Sequence, residues 1–181
     1  MPKLLSSLGL LALAAMPLAL MPAAAQAQGM PIQGTFTVQF EAIAAIAACG
    51  PNDTNCSVCL NNSGLYIEAQ GIGNTSLGTL FLEIQKCYYN PGFGTYKGTF
   101  KMTAPNGKDS VKGTYTGKDD APGDAYGFGP FSGTLTIAGG TGSLSRADGS
   151  ISFTAVGGPA TAGPSANTYV GMAFYSVQGR L

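Results

Sequence analysis

The 181-residue chain contains no histidine. That removes the usual general base, the Ser-His-Asp and Cys-His nucleophile arrangements, and most zinc sites. Inside strand-like stretches the remaining titratable candidates are Glu41, Glu68, Glu83 and Lys86. A carboxyl group desolvated in an apolar interior keeps its proton to higher pH and can work as a base. The plainer reading of the carboxylates is a solvated outer face, because charged residues are mostly exposed. No catalytic residue is assigned on this basis, and whether the chain is an enzyme stays open.

Cysteine is the next reactive type, at Cys49, Cys56, Cys59 and Cys87. An even count in an exported protein reads as disulfides, with three pairings open. The spacing Cys56-Ser57-Val58-Cys59 also suits a redox or four-thiolate zinc motif, but no thioredoxin-like βαβ context surrounds it. On the disulfide reading, an irregular loop over residues 49–64 is stapled to the strand carrying Cys87. Asp119, Asp120 and Asp124 gather oxygen ligands of the kind Ca²⁺ takes, yet their spacing is not that of an EF-hand, and a solvated polar turn accounts for them. We expect no metal and no cofactor.

The elements that position these groups are strands. Residues 131–156 set the pattern: Phe131, Leu135 and Ile137 alternate with Ser132, Thr134 and Thr136, and Ile151 and Phe153 alternate with Ser150, Ser152 and Thr154. A period of two puts one face on a core and the other in water. Similar alternation runs through residues 32–41, 65–72, 77–89, 96–104, 110–116 and 168–178. Residues 42–48 are small and apolar, and fit either a helical turn or more strand. Asn106-Gly107 marks a tight hairpin, residues 117–127 read as a polar loop, and residues 157–167 as a Pro/Gly/Ala linker. About eight strands with no long amphipathic helix predict an all-β domain. An eight-stranded antiparallel barrel removes exposed edges, and a β-sandwich is the alternative.

Residues 1–27 read as a signal peptide. Lys3 is a basic start, Leu and Ala dominate the run that follows, and Ala25-Gln26-Ala27 has the small-x-small form of a cleavage site. A single domain over residues 28–181, exported to a periplasm or to the outside, follows, with no membrane span after cleavage. Nine basic and nine acidic residues, one of the basic ones being Lys3, leave no bulk charge to attract nucleic acid.

The run Ile137-Ala138-Gly139-Gly140-Thr141-Gly142, with Leu144, Ala147, Gly149, Ile151 and Phe153 after it, resembles the turn signature of allene oxide cyclase-like and dirigent-like barrels of exported bacterial type. Gly73-Asn74-Thr75-Ser76-Leu77-Gly78 and the Asn106-Gly107 hairpin are similar to further segments found there, so the resemblance covers about residues 71–155. Leu144 stands where that family usually has an aromatic. The resemblance implies an eight-stranded barrel with a mostly apolar cavity that steers reactive substrates by shape, as plant members do with an unstable fatty-acid epoxide or with phenoxy radicals. It carries over no functional side chain, since its motifs are turns.

Tyr96, Phe100, Met102, Tyr115, Phe174 and Tyr175 are then the candidates to line a pocket for a small hydrophobic ligand; the same residues could simply fill the core. Three functions follow: an exported barrel that binds and steers such a molecule, a non-catalytic structural or surface-assembly protein, and a cyclase-type enzyme. The first predicts that packing and shape dominate, with no acid–base group essential on its own.

Overall fold

The computed structural model describes residues 29–44, 65–89, 94–124, 128–165 and 168–181. The expected leader at 1–27, residues 45–48, and the expected loop at 49–64 with Cys49, Cys56 and Cys59 lie outside the described residues.

Among the described residues nine strands form one sheet: β1 (Pro31–Ala44), β2 (Leu65–Thr75), β3 (Gly78–Tyr89), β4 (Thr95–Thr103), β5 (Ser110–Asp119), β6 (Gly129–Thr141), β7 (Gly149–Gly157), β8 (Thr161–Ala162) and β9 (Thr168–Arg180). All neighbouring pairs are antiparallel, and β9 pairs with both β7 and β1, closing eight strands into a barrel. The two-residue β8 is an extra strand beside the start of β9. The barrel expected from the alternation is thus the fold, and the sandwich is not. Closure is favourable because it leaves no row of unpaired backbone groups. Among the described residues the only helical element is a single 3-10 turn, Gly142–Leu144.

Alternation decides what enters the barrel. Phe36 and Val38, Leu80, Leu82 and Ile84, Phe100 and Met102, Leu135 and Ile137, Ile151 and Phe153, and Tyr175 and Val177 are all buried in one cluster. The intervening residues are largely exposed Thr, Ser, Gln, Lys and Glu. Ala42 to Ala44 continue β1 rather than turning into a helix, because each still pairs with β2.

The hairpin at Asn106-Gly107 forms as its sequence predicts. Gly107 takes a φ of +66°, and Asn106 Oδ1 accepts hydrogen bonds from the Lys108 and Asp109 backbone amides at 2.9 and 3.1 Å.

The Gly139–Gly142 run differs from the expected simple turn. Gly139, Gly140 and Thr141 stay in β6, where Gly113 pairs with Ile137 and Lys112 with Gly139, so Ala138 is an extra residue in a bulge. The chain leaves the sheet only at Gly142, φ +60°. There the Ser143 amide donates to Asp109 Oδ1 at 2.7 Å and Thr141 Oγ1 donates to the Lys108 carbonyl at 2.6 Å. The following turn drops Leu144 and Ala147 into one end of the barrel, beside Ile32, Leu80 and Leu181, and stops it.

Two further boundaries shift. Gly117, Lys118 and Asp119 belong to β5 and pair with β6, not to the expected polar loop. The expected linker at 157–167 contains β8.

Candidate functional site

The opposite end of the barrel is not filled. A cavity of about 600 Å³ is lined there by Val38, Phe40, Ile67, Ala69, Phe131 and Ala173, with Lys86, Tyr88, Tyr96, Asp119 and Tyr175 as its polar groups. Ala121, Pro122 and Gly123, just after β5, form part of its rim. Its size is that of a small-molecule site, and its lining is mostly apolar with a few convergent polar groups.

Lys86 is the group that sets its chemistry. Leu80, Leu82, Ile84 and Lys86 share one face of β3, and that face points inward. Lys86 is 5% exposed. Its Nζ donates to the Tyr115 hydroxyl at 3.2 Å and to the Tyr175 hydroxyl at 3.5 Å. It also sits 4.1 Å from the Tyr96 ring centroid and 4.8 Å from those of Tyr115 and Phe131. Facing rings attract an ammonium through their quadrupoles, more strongly once water is excluded. Gly98 makes room for this. It lies in register between Lys86 and Tyr115, and a Cβ there would collide with the Gln85 carbonyl and the Lys86 backbone. A bare backbone at that point lets the two side chains meet across β4.

The rings form a continuous shell. Tyr88 and Tyr96 are 4.9 Å apart, Tyr96 and Phe131 5.5 Å, Phe131 and Tyr175 5.4 Å, and Tyr115 and Phe153 5.0 Å between centroids. Asp119 ends the shell at the mouth. Its two oxygens accept from the Tyr88 hydroxyl at 2.8 Å and the Tyr96 hydroxyl at 2.7 Å.

Burial holds the Lys86 ammonium far below the ordinary lysine range, at about 7, with the Asp119 charge pulling the other way. The phenols shift in the opposite sense. Burial and the bond to Asp119 push Tyr88 up to about 12 and Tyr96 higher still. Burial likewise raises Tyr115 and Tyr175, the bond between the two adding to the rise at Tyr115 and opposing it at Tyr175. At neutral pH the cavity therefore offers protonated phenols and a lysine divided between ammonium and free amine.

Of the six aromatic and Met candidates from the sequence, Tyr96 and Tyr175 line the cavity, and Tyr115 lies behind them with its hydroxyl on Lys86. Phe100 and Met102 point into the barrel but belong to its packed core and are not on the cavity wall. Phe174 is placed on the outer face, 48% exposed. It is adjacent to Tyr175 in a strand, so both cannot face inward.

The strand carboxylates Glu41, Glu68 and Glu83 all lie exposed on the outside, Glu83 within 3.8 Å of Lys101. The outer-face reading of the carboxylates agrees with this, whereas Lys86, the fourth candidate, is buried. The three aspartates diverge: Asp119 is taken by two tyrosines, Asp120 accepts from Ser132 Oγ at 2.8 Å, and Asp124 accepts from the Phe128 amide at 2.9 Å. Cys87 lies on the opposite face of β3 from Lys86 and is buried beside Tyr66 and Tyr89.

The parity of Lys86 with three buried aliphatics was the signal that could have found it. Asp119 shares parity with Val111 and Tyr115, but only once β5 is extended past Thr116.

No family model matches the chain, and no curated protein or solved structure matches it.

Proposed function

We propose that the barrel binds a small, mostly apolar molecule in its open-end cavity, with one polar end directed at Lys86. The observation that carries this is the cavity itself: about 600 Å³ of apolar and aromatic wall converging on a single buried amine. Burying roughly 300 Å² of apolar ligand at about 25 cal/mol per Å² gives micromolar affinity with no ion pair. The resemblance of the turn motifs to allene oxide cyclase-like and dirigent-like barrels favours the same class of ligand, and export with a disulfide-tethered 49–64 loop belongs to the same proposal.

The test is titration with 2-naphthol, followed by its fluorescence anisotropy. Wild-type protein should bind it at micromolar concentration, and Ala173→Leu, which puts extra carbons into the cavity, should weaken binding at least tenfold. Equal binding by both proteins would overturn the assignment.

A second reading, a structural or assembly role, rests on a separate observation. Phe81, Ile72, Thr37, Phe174 and Val156 lie in one cross-strand register over β3, β2, β1, β9 and β7, and the four apolar members are exposed. An exposed apolar row of this kind suits contact with another surface. Sedimentation at high protein concentration separates the two: self-association abolished by Phe174→Ser would support it.

A further inference from the structure

We propose that Lys86 is a carbonyl-capturing amine, and that the cavity takes an aldehyde on an apolar body and holds it as an imine on Nζ. This rests on the small-molecule reading above and deepens it.

Three observations carry it. A buried lysine with a structural task is normally paired with a carboxylate, yet among the described residues no carboxylate oxygen lies within 4 Å of this nitrogen. The nearest candidate, Asp119, is committed to Tyr88 and Tyr96. Second, Lys86 is one of the residues that line the cavity, so its partner can be a ligand. Third, two hydroxyls flank it, Tyr115 at 3.2 Å and Tyr175 at 3.5 Å, and both stay protonated at neutral pH. A hydroxyl beside the nucleophile can donate to a carbonyl oxygen and polarise it.

The step balances without any oxidant or reductant. The Nζ lone pair attacks the carbonyl carbon, a C–N bond forms, and the carbonyl π electrons move to oxygen. One Nζ proton passes to that oxygen, with the Tyr115 and Tyr175 hydroxyls placed to relay it, giving a carbinolamine. The C–O bond then breaks, the oxygen leaves as water with the second Nζ proton, and a C=N bond remains. When the imine is protonated, the rings of Tyr96 and Phe131 take over the cation they held on the ammonium.

Desolvation activates the amine. At pH 7 an amine titrating near 7 presents about a thousandfold more of its free form than an ordinary lysine at about 10.4. The titratable groups facing it are Tyr115 and Asp119 from β5, Tyr96 from β4, Tyr88 from β3 and Tyr175 from β9.

The experiment uses a matched pair of probes, 2-naphthaldehyde and 2-naphthol, on the full chain. Protein is incubated with the aldehyde and cyanoborohydride at pH 7, and the reduced adduct is located by peptide mapping. Lys86 should be labelled about tenfold or more ahead of Lys97, Lys101, Lys108, Lys112 and Lys118, with labelling rising up to about pH 7 and levelling above it. Lys86→Met should abolish that adduct while keeping the wild-type far-UV circular dichroism spectrum and a cooperative urea transition, which shows that the variant is folded. Label spread evenly over the surface lysines, with 2-naphthol still binding in an Ala173→Leu-sensitive way, would overturn carbonyl capture and leave the binding reading standing. Failure of 2-naphthol to bind together with even labelling would overturn both.

Discussion

The two ends of this barrel are built from the same alternation and solve opposite problems. At one end the chain spends its large aliphatics: Ile32, Leu80, Leu82, Leu144 and Leu181 are all buried, and a 3-10 turn is pulled in as a stopper. At the other end the inward positions hold Lys86, Tyr88, Tyr96 and Asp119, with Ala69 and Ala173 where larger residues would fill the space. The closed end therefore supplies packing, and the open end gives up packing for polar groups whose desolvation is costly. Stability and chemistry are divided along the barrel axis, which is how a scaffold can hold an unfavourable buried amine.

The largest test of that division is a pair of opposite substitutions. Leu82→Ala at the closed end deletes fully buried carbons and should cost about 2–5 kcal/mol, read as a lower denaturant midpoint. Ala173→Leu at the open end adds carbons where space exists and should cost less than about 1 kcal/mol. Equal losses would mean that the open end is packed as tightly as the closed one.

A smaller effect concerns the amine. Folded Lys86 releases its proton near 7, and the unfolded chain's lysine near about 10.4. Between those values the unfolded state binds more protons, so this residue makes stability rise with pH. Below about 7 both states hold the proton and the cost of burying the charge is fully present. Lys86→Met should therefore be more stable than wild type by about 1–4 kcal/mol at pH 6, and the gap should shrink steadily towards pH 10. Melting curves across that range check it; a gap that is flat with pH would mean that Lys86 reaches water. Asp119, Tyr88, Tyr96, Tyr115 and Tyr175 face Lys86 and remain in both proteins, so their own titration largely cancels.

Tyr96→Phe is smaller again. It removes one hydroxyl from the Asp119 carboxylate and keeps the ring over Lys86. A hydrogen bond to a charged acceptor contributes about 1.5–3 kcal/mol when fully desolvated, less at a half-open mouth, so a loss of about 1 kcal/mol is expected in urea unfolding.

Much of the closed end was legible in the sequence because aliphatic residues at period two leave little choice: Leu80, Leu82, Ile84, Ile151 and Phe153 must share a face, and that face must be covered. The barrel itself follows from eight such runs and the need to remove edges. The open end was less legible for a physical reason. Lys86 continues the same inward series, but its charge argues for water, and periodicity alone does not say which argument wins. Only the ring positions of Tyr96, Tyr115 and Phe131, brought together from three other strands, make burial tolerable. Likewise Asp119 looks like part of a polar loop until its neighbours Gly117 and Lys118 are seen paired with Gly133 and Ser132. The outward Phe174 shows the reverse failure, an aromatic on the outer face of its strand.

That last residue gives the smallest and most discriminating prediction. Phe174 and Tyr175 are consecutive in β9, one half-exposed and one buried, so the pleat alone assigns one to the outer surface and the other to the cavity. Phe174 pairs across the sheet with Thr37 and Val156, an outer row that touches nothing in the interior. Replacing it by Ser removes exposed apolar area only, and a surface change of this kind moves stability by no more than about 0.5 kcal/mol. Binding of 2-naphthol should be unchanged. Tyr175→Ala, one position on, should instead open the cavity wall, remove a hydroxyl from Lys86 and weaken 2-naphthol binding several-fold. If Phe174→Ser altered the naphthol affinity as much as Tyr175→Ala did, the ligand would be bound on the outside of the barrel, and the polar open end would need another explanation.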